Sequence, residues 1–234
     1  MAHANHYSKI QWVPFPHIII DNFLAKEDFI ELKNDLEKAK ATRVIQSSFK
    51  TTNENKDIFK ADDGLGDAPK KLISRMGSNE IKNKISEIVG WQSKNILSLS
   101  ETDDFSGYSP YHVTSRGGFL GSHVDHSSIV DNKFIHIANS IFFASKDWHQ
   151  SWGGETILFS SHGLRAIKTV EPIPNRLIIF IHSGGSFHGV NRYTPDNNTD
   201  RETFYHDYYV KSSELIAFRT VLLKQIGKSL PYTK

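Results

Sequence analysis

Apolar residues recur along this chain at two different intervals. Phe29, Leu32, Leu36 and Ala39 fall three and four apart, which predicts a helix over Ala25 to Lys40 whose charged remainder forms a solvated face. Pro69 stands where another helix can begin, and Ile81, Ile85, Ile88 and Val89 carry an apolar stripe that stops at Gly90, so two supporting helical segments precede the rest. From Ile96 onward the interval shortens. Brief apolar and aromatic runs between turn residues predict strands over Ile96 to Thr102, Tyr108 to Val113, Phe134 to Ala144, Glu155 to Ser160, Leu164 to Val170, Arg176 to Ile181 and Glu202 to Val210. His17 to Asp21 adds a short strand near the start. Leu215, Ile216, Phe218, Leu222 and Leu223 predict a last helix over Ser213 to Gln225.

This pattern describes a mainly β chain with flanking helices, of the α+β class, and a run of seven or eight short strands suggests a jelly roll. No repeat or linker divides the 234 residues, which suit one domain. Its expected parts are a helical support over about 1–95, a jelly-roll core over about 96–210 and the helix at 213–225. Between Gln46 and Asp67 polar and turn-forming residues dominate. That reads as a long loop, either a lid over a site or a floppy insertion.

Composition narrows the function classes. Lys and Arg number 28 against 26 acids, too even a balance to argue for nucleic acid or a membrane surface as partner. The chain has no cysteine, so disulfides and thiolate metal sites are excluded and any metal must be held by His, Asp or Glu. The first dozen residues lack the apolar segment of a secretory signal, and no run approaches the roughly 20 residues needed to span a bilayer. A soluble, cytoplasmic protein is expected.

Twelve histidines are more than a surface requires. In an extended strand His123 and Asp125, two apart, point the same way and can grip one ion together. His188, just beyond the apolar run Leu177 to Ile181, is the best third ligand. Two imidazoles and a carboxylate on one face of an octahedral ion leave three positions open, the arrangement of non-haem Fe(II) oxygenases. His126 and His182 are rival ligands. With His112, His136, His149, His162 and His206 they read as surface or core histidines.

The order of these features is more telling than any one of them. Tyr111 to Asp125 (YHVTSRGGFLGSHVD) is followed by an aromatic strand, Trp148, Gly153-Gly154, a proline-rich turn, an apolar strand, Phe187-His188-Gly189-Val190 and Arg201-Glu202-Thr203. The set resembles the 2-oxoglutarate and Fe(II) dependent dioxygenases, in their prolyl 4-hydroxylase-like branch, over about Tyr111 to Val210 and more weakly over Pro16 to Leu24. The resemblance implies a double-stranded β-helix, or jelly-roll, cupin-like core. It implies Fe(II) on His123, Asp125 and His188, 2-oxoglutarate as co-substrate, and ascorbate as a candidate reductant.

It also implies contacts for the co-substrate. Arginine meets a carboxylate with two parallel hydrogen bonds, and Arg201 is the expected anchor, with Arg192 as its rival and Thr203 adding a hydroxyl from the same face. Tyr111 is a second expected contact, against the alternative that it is an ordinary strand aromatic. Ile141 and Phe143 match positions that pack around the acid. Phe143 has no hydroxyl, so Tyr111 or Asn139 would supply a polar contact instead. Gly153 and Gly154 allow a bulge or a close backbone approach.

The implied reaction is hydroxylation of an unactivated C–H bond with release of succinate and carbon dioxide. Iron halogenases of this fold lack the carboxylate, and Asp125 is present. A small molecule or a peptide, with a prolyl residue as first choice, is the expected substrate, and Arg116, Arg165 and Trp152 are candidates for holding it. A jelly roll that binds a metal or ligand without catalysis is the alternative.

Overall fold

The computed structural model describes residues 9–52, 54–59, 65–102 and 110–214. In chain order they form β1 (His17–Ile20), α1 (Lys26–Ala39), β2 (Ile45–Lys50), β3 (Glu54–Phe59), α2 (Asp67–Met76), α3 (Asn79–Val89) and β4 (Leu97–Ser98). Then come β5 (Tyr111–Thr114), β6 (Phe119–His123), β7 (Ser128–Ile129), β8 (Phe134–Phe143), β9 (Thr156–Phe159), β10 (Ala166–Val170), β11 (Leu177–Ile181), β12 (His188–Val190) and β13 (Arg201–Lys211). Past Glu214 the helix expected at 213–225 lies outside the described residues.

The strands pair antiparallel in the order β1, β11, β8, β13, β5, β3, β6, β12, β9, β10. This curled sheet is the double-stranded β-helix. Its larger half runs from β1 to β5, its smaller half from β6 to β10, and β3 joins them by pairing with both β5 and β6. β11 is an unbroken apolar run, as a strand covered on both faces requires, and it lies between β1 and β8.

Alternation along β8 and β13 sorts side chains into two cores. Phe204 stands opposite Phe142, and both join the apolar cluster that packs under the helices with Leu32, Leu36, Leu72 and Ile81. Tyr205 stands opposite Ile141, and both face the cluster inside the fold, with Phe143, Leu158, Val170, Ile178 and Phe180. Glycine punctuates the helical side as the sequence suggests: Gly90 caps α3 at φ 71°. The segment from Pro69 to Gly90 is two helices, because the chain breaks at Gly77 and Ser78.

One expectation is corrected. The stretch expected as a loop over 46–67 contains the hairpin β2–β3 and the start of α2. The hairpin is mostly exposed or half-buried, so its polar side chains give no apolar alternation. Backbone pairing to β5 and β6 makes it a strand.

His206, on the helix-facing side of β13, is buried with neither ring nitrogen hydrogen-bonded, and burial pulls its pKa down to about 4. The unfolded chain therefore takes up this proton first. Stability from His206 is present above pH ~6.5 and is lost as pH falls from there toward ~4, by up to about 3 kcal/mol. His206→Leu should flatten that part of a pH series of thermal melts. An unchanged slope would show that His206 carries none of it.

Candidate active site

β12 runs antiparallel to β6 with His188 opposite His123, so pairing of the smaller half brings the distant histidine to the first one. Their rings lie 4.4 Å apart, centroid to centroid. Asp125 follows β6 by two residues. Its Oδ1 is 3.2 Å from His123 Nε2 and its Oδ2 is 3.4 Å from His188 Nε2. One ligand atom from each of the three residues lies within 4.8 Å of the others, a group that could hold a metal ion.

The local chemistry suits a dication. His123 Nδ1 donates to the Gly121 carbonyl at 2.9 Å and His188 Nδ1 to the Ser186 carbonyl at 3.1 Å, which leaves both Nε2 lone pairs facing Asp125. Burial pulls the His188 pKa down to about 4, so this imidazole is neutral at pH 7. Burial disfavours the ionised form of Asp125, but the His123 hydrogen bond and both imidazole charges outweigh it and hold its carboxyl well below the usual range. Burial alone would lower the His123 pKa, yet its bond to Asp125 raises it. A metal ion bound between them would take the place of that shared proton.

The sheet places Arg201 deep in the fold. It is 1 % exposed, and its Nε donates to the Gly154 carbonyl at 2.7 Å and its Nη2 to Thr156 Oγ1 at 3.1 Å. Tyr205 hydrogen-bonds to it, and the guanidinium lies 5.4 Å from the Phe143 ring centroid. Among the described residues no ion pair includes Arg201. A buried cation without a carboxylate is costly, so the position fits an acidic ligand. The two glycines permit the approach: a Cβ on Gly154, at φ +79°, would lie 2.7 Å from the Tyr193 ring, and one on Gly153 would lie 2.2 Å from the Arg192 carbonyl oxygen.

Other expected residues divide by face. Ile141 and Phe143 line the interior. Thr203 is buried and donates to the His112 carbonyl at 3.4 Å. Asn139 lies beside the metal-ligating group, donating to Asp125 Oδ2 at 2.8 Å. Tyr111 is a correction. It packs in the helix-facing cluster, stacked on Phe204, with its hydroxyl donating to Glu202 at 2.6 Å and accepting from Arg43. That is the opposite face of the sheet from Arg201.

The rival residues lie elsewhere. Arg192 is exposed, donates to the Gly117 carbonyl and lies over the Phe119 ring. His126 and His182 stack on the two sides of His136, at 4.7 and 4.4 Å, instead of joining His123 and His188. Trp152 is buried, whereas Arg116 and Arg165 are exposed. The sequence reading missed Thr156, Tyr205 and His112. Tyr205 is two residues past Thr203 on one strand face, a signal that was available, and His112 lies 4.3 Å from the Tyr205 ring.

Two imidazoles and a carboxylate gathered in a jelly roll, free of thiolates, are the donor set that suits a non-haem Fe(II) site. Residues 107–204 match the sequence model of the 2OG-Fe(II) oxygenase superfamily. The chain is similar to that superfamily over this stretch, which contains His123, Asp125, His188 and Arg201. Its fold is similar to a Pseudomonas putida prolyl-4-hydroxylase, with a TM-score of 0.57 at 15 % identity over 89 % of this chain and 93 % of that one. A prolyl hydroxylase from Trichoplax adhaerens, in complex with a hypoxia inducible factor oxygen degradation domain peptide fragment, gives 0.57 at 16 % identity over 86 % of each chain. The viral collagen prolyl hydroxylase of Paramecium Bursaria Chlorella virus-1, a 2OG complex, gives 0.53 at 14 % over 83 % of this chain and 96 % of that one. No curated protein matches the sequence. Among the described residues no helix is long and apolar enough to cross a membrane.

Proposed function

We propose that His123, Asp125 and His188 hold Fe(II), that Arg201 with Thr156 and Tyr205 holds the far carboxylate of 2-oxoglutarate, and that the hydroxylated substrate is a prolyl residue in a peptide. The chain acts as one domain. The observation that carries the reading is the convergence of the three ligand atoms within 4.8 Å. Bound there, iron supplies the oxidising chemistry that couples decarboxylation of the oxo acid to C–H hydroxylation.

The side chains have separate tasks. Asp125 partly balances the dication, and the Gly121 and Ser186 carbonyls fix the two imidazoles in the tautomer that leaves Nε2 free. Arg201 orients the acid by a two-pronged contact. Ile141, Phe143, Leu158 and Phe180 keep the intervening space apolar and exclude water. Toward the mouth, His123 and Asp125 remain 32 % and 26 % exposed, open enough for a residue carried on a longer chain. The peptide-bound Trichoplax enzyme, which shares the fold, supports the same substrate class.

Anaerobic addition of Fe(II) and then 2-oxoglutarate to the purified protein should develop the weak metal-to-ligand charge-transfer band in the visible, absent from His123→Ala. A non-catalytic binding module would show no band. Succinate formation across a panel of proline peptides and free amino acids then tests the substrate. Stimulation by free amino acids alone would replace the peptide assignment.

A further inference from the structure

Asn139 occupies an unusual position between two carboxylates. Its Nδ2 donates to Asp125 Oδ2 at 2.8 Å and to Asp207 Oδ1 at 3.2 Å. Asp125 is held ionised and can only accept, so the amide nitrogen faces it, and the remaining oxygen, Oδ1, is buried without a hydrogen-bond partner. Turning the amide over would set that oxygen against the ionised Asp125 and lose its hydrogen bond. Asn139 is itself 2 % exposed and sits in mid-strand on β8, opposite Asp207 on β13, so backbone pairing fixes both ends of the contact. An orphaned buried oxygen is a cost of about 1–3 kcal/mol that a merely structural asparagine would not be expected to retain.

We infer that Asn139, anchored by Asp207, is a positioning residue that restricts Asp125 to a single coordinating oxygen. This rests on the reading of His123, Asp125 and His188 as the metal ligands. The amide holds Oδ2, leaving Oδ1 for the ion. A carboxylate gripping with both oxygens would take a fourth coordination position, one of the three that the co-substrate and dioxygen require. Asn139 thus acts through Asp125 and keeps the site open, touching neither substrate nor co-substrate.

The test uses Mn(II) as the probe on the full-length protein, with water-proton relaxation counting the waters the ion retains and calorimetry measuring 2-oxoglutarate affinity for the Mn(II)-loaded form. Asn139→Ala should lose about one bound water relative to the wild type and bind 2-oxoglutarate roughly ten- to a hundredfold more weakly, the range typical of groups that orient metal ligands. Asp207→Leu, which removes the anchor and a buried acid, should shift both readouts the same way by a smaller factor. It also decides the matter if Asn139→Ala does not fold. Wild-type hydration and 2-oxoglutarate affinity in the folded variants would overturn the positioning role. Failure of the wild type to bind Mn(II) would instead overturn the ligand assignment on which it stands.

Discussion

Arg201→Met should bind 2-oxoglutarate roughly 30-fold to several thousandfold more weakly than the wild type, because truncating one partner of a buried, hydrogen-bonded charge pair costs about 2–5 kcal/mol. Without the acid the same change should cost little. It removes a buried guanidinium that forms no ion pair among the described residues, which offsets the bonds lost to Gly154 and Thr156. The melting temperature of the ligand-free protein is therefore expected to move by only a few degrees, while the rise in melting temperature on adding 2-oxoglutarate disappears. Arg201→Lys should recover part of the affinity, since it restores the charge but not the fork. Calorimetry on the metal-loaded protein measures all three. Wild-type affinity in Arg201→Met, with loss in Arg192→Ala, would move the anchor to the exposed arginine.

The neighbouring residue should behave in the opposite way. Glu202 is 3 % exposed and accepts from Lys33 at 2.5 Å and Tyr111 at 2.6 Å, with Arg43 3.6 Å away. These contacts tie α1 and the segment after it to β13. Glu202→Ala leaves Lys33, less than one-fifth exposed, without its acid and leaves Arg43 with Asp200 alone. Breaking a buried pair in this way costs about 3–5 kcal/mol. For a chain of this size that lowers the melting temperature by roughly 6–20 °C. The protein that remains folded should bind 2-oxoglutarate normally, because Glu202 points toward the helices. A melting temperature unchanged within about 2 °C would show that the ion pair contributes nothing net, the outcome usual for exposed pairs.

Much of this arrangement is legible in the chain before any coordinates. The period-two pairing of His123 with Asp125, the apolar run Leu177 to Ile181 and the ordered set ending at Arg201 all depend on local spacing, which the sequence displays directly. The positions that misled are those where the partner strand decides. Tyr111 and Val113 share one face of β5, and two apolar neighbours are drawn to the apolar cluster under the helices, leaving His112 to face inward. That choice is visible only when Tyr111 is read together with Val113. The hairpin β2–β3 is harder. Its side chains neither alternate nor cluster, and its strand character comes from pairing across residues far apart in the chain. Thr156 belongs to the Arg201 environment for a similar reason: β9 lies in the other half of the fold, forty-five residues from the arginine it touches.

β13 separates the roles of its residues by parity. Arg201, Thr203, Tyr205 and Asp207 point into the interior of the fold, whereas Glu202, Phe204, His206 and Tyr208 hold the helices. In a saturation library across 201–208, odd positions should therefore deplete variants under selection for turnover, and even positions should deplete them under selection for abundance. A single-codon deletion in the preceding turn would exchange the two sets and fail both selections at once.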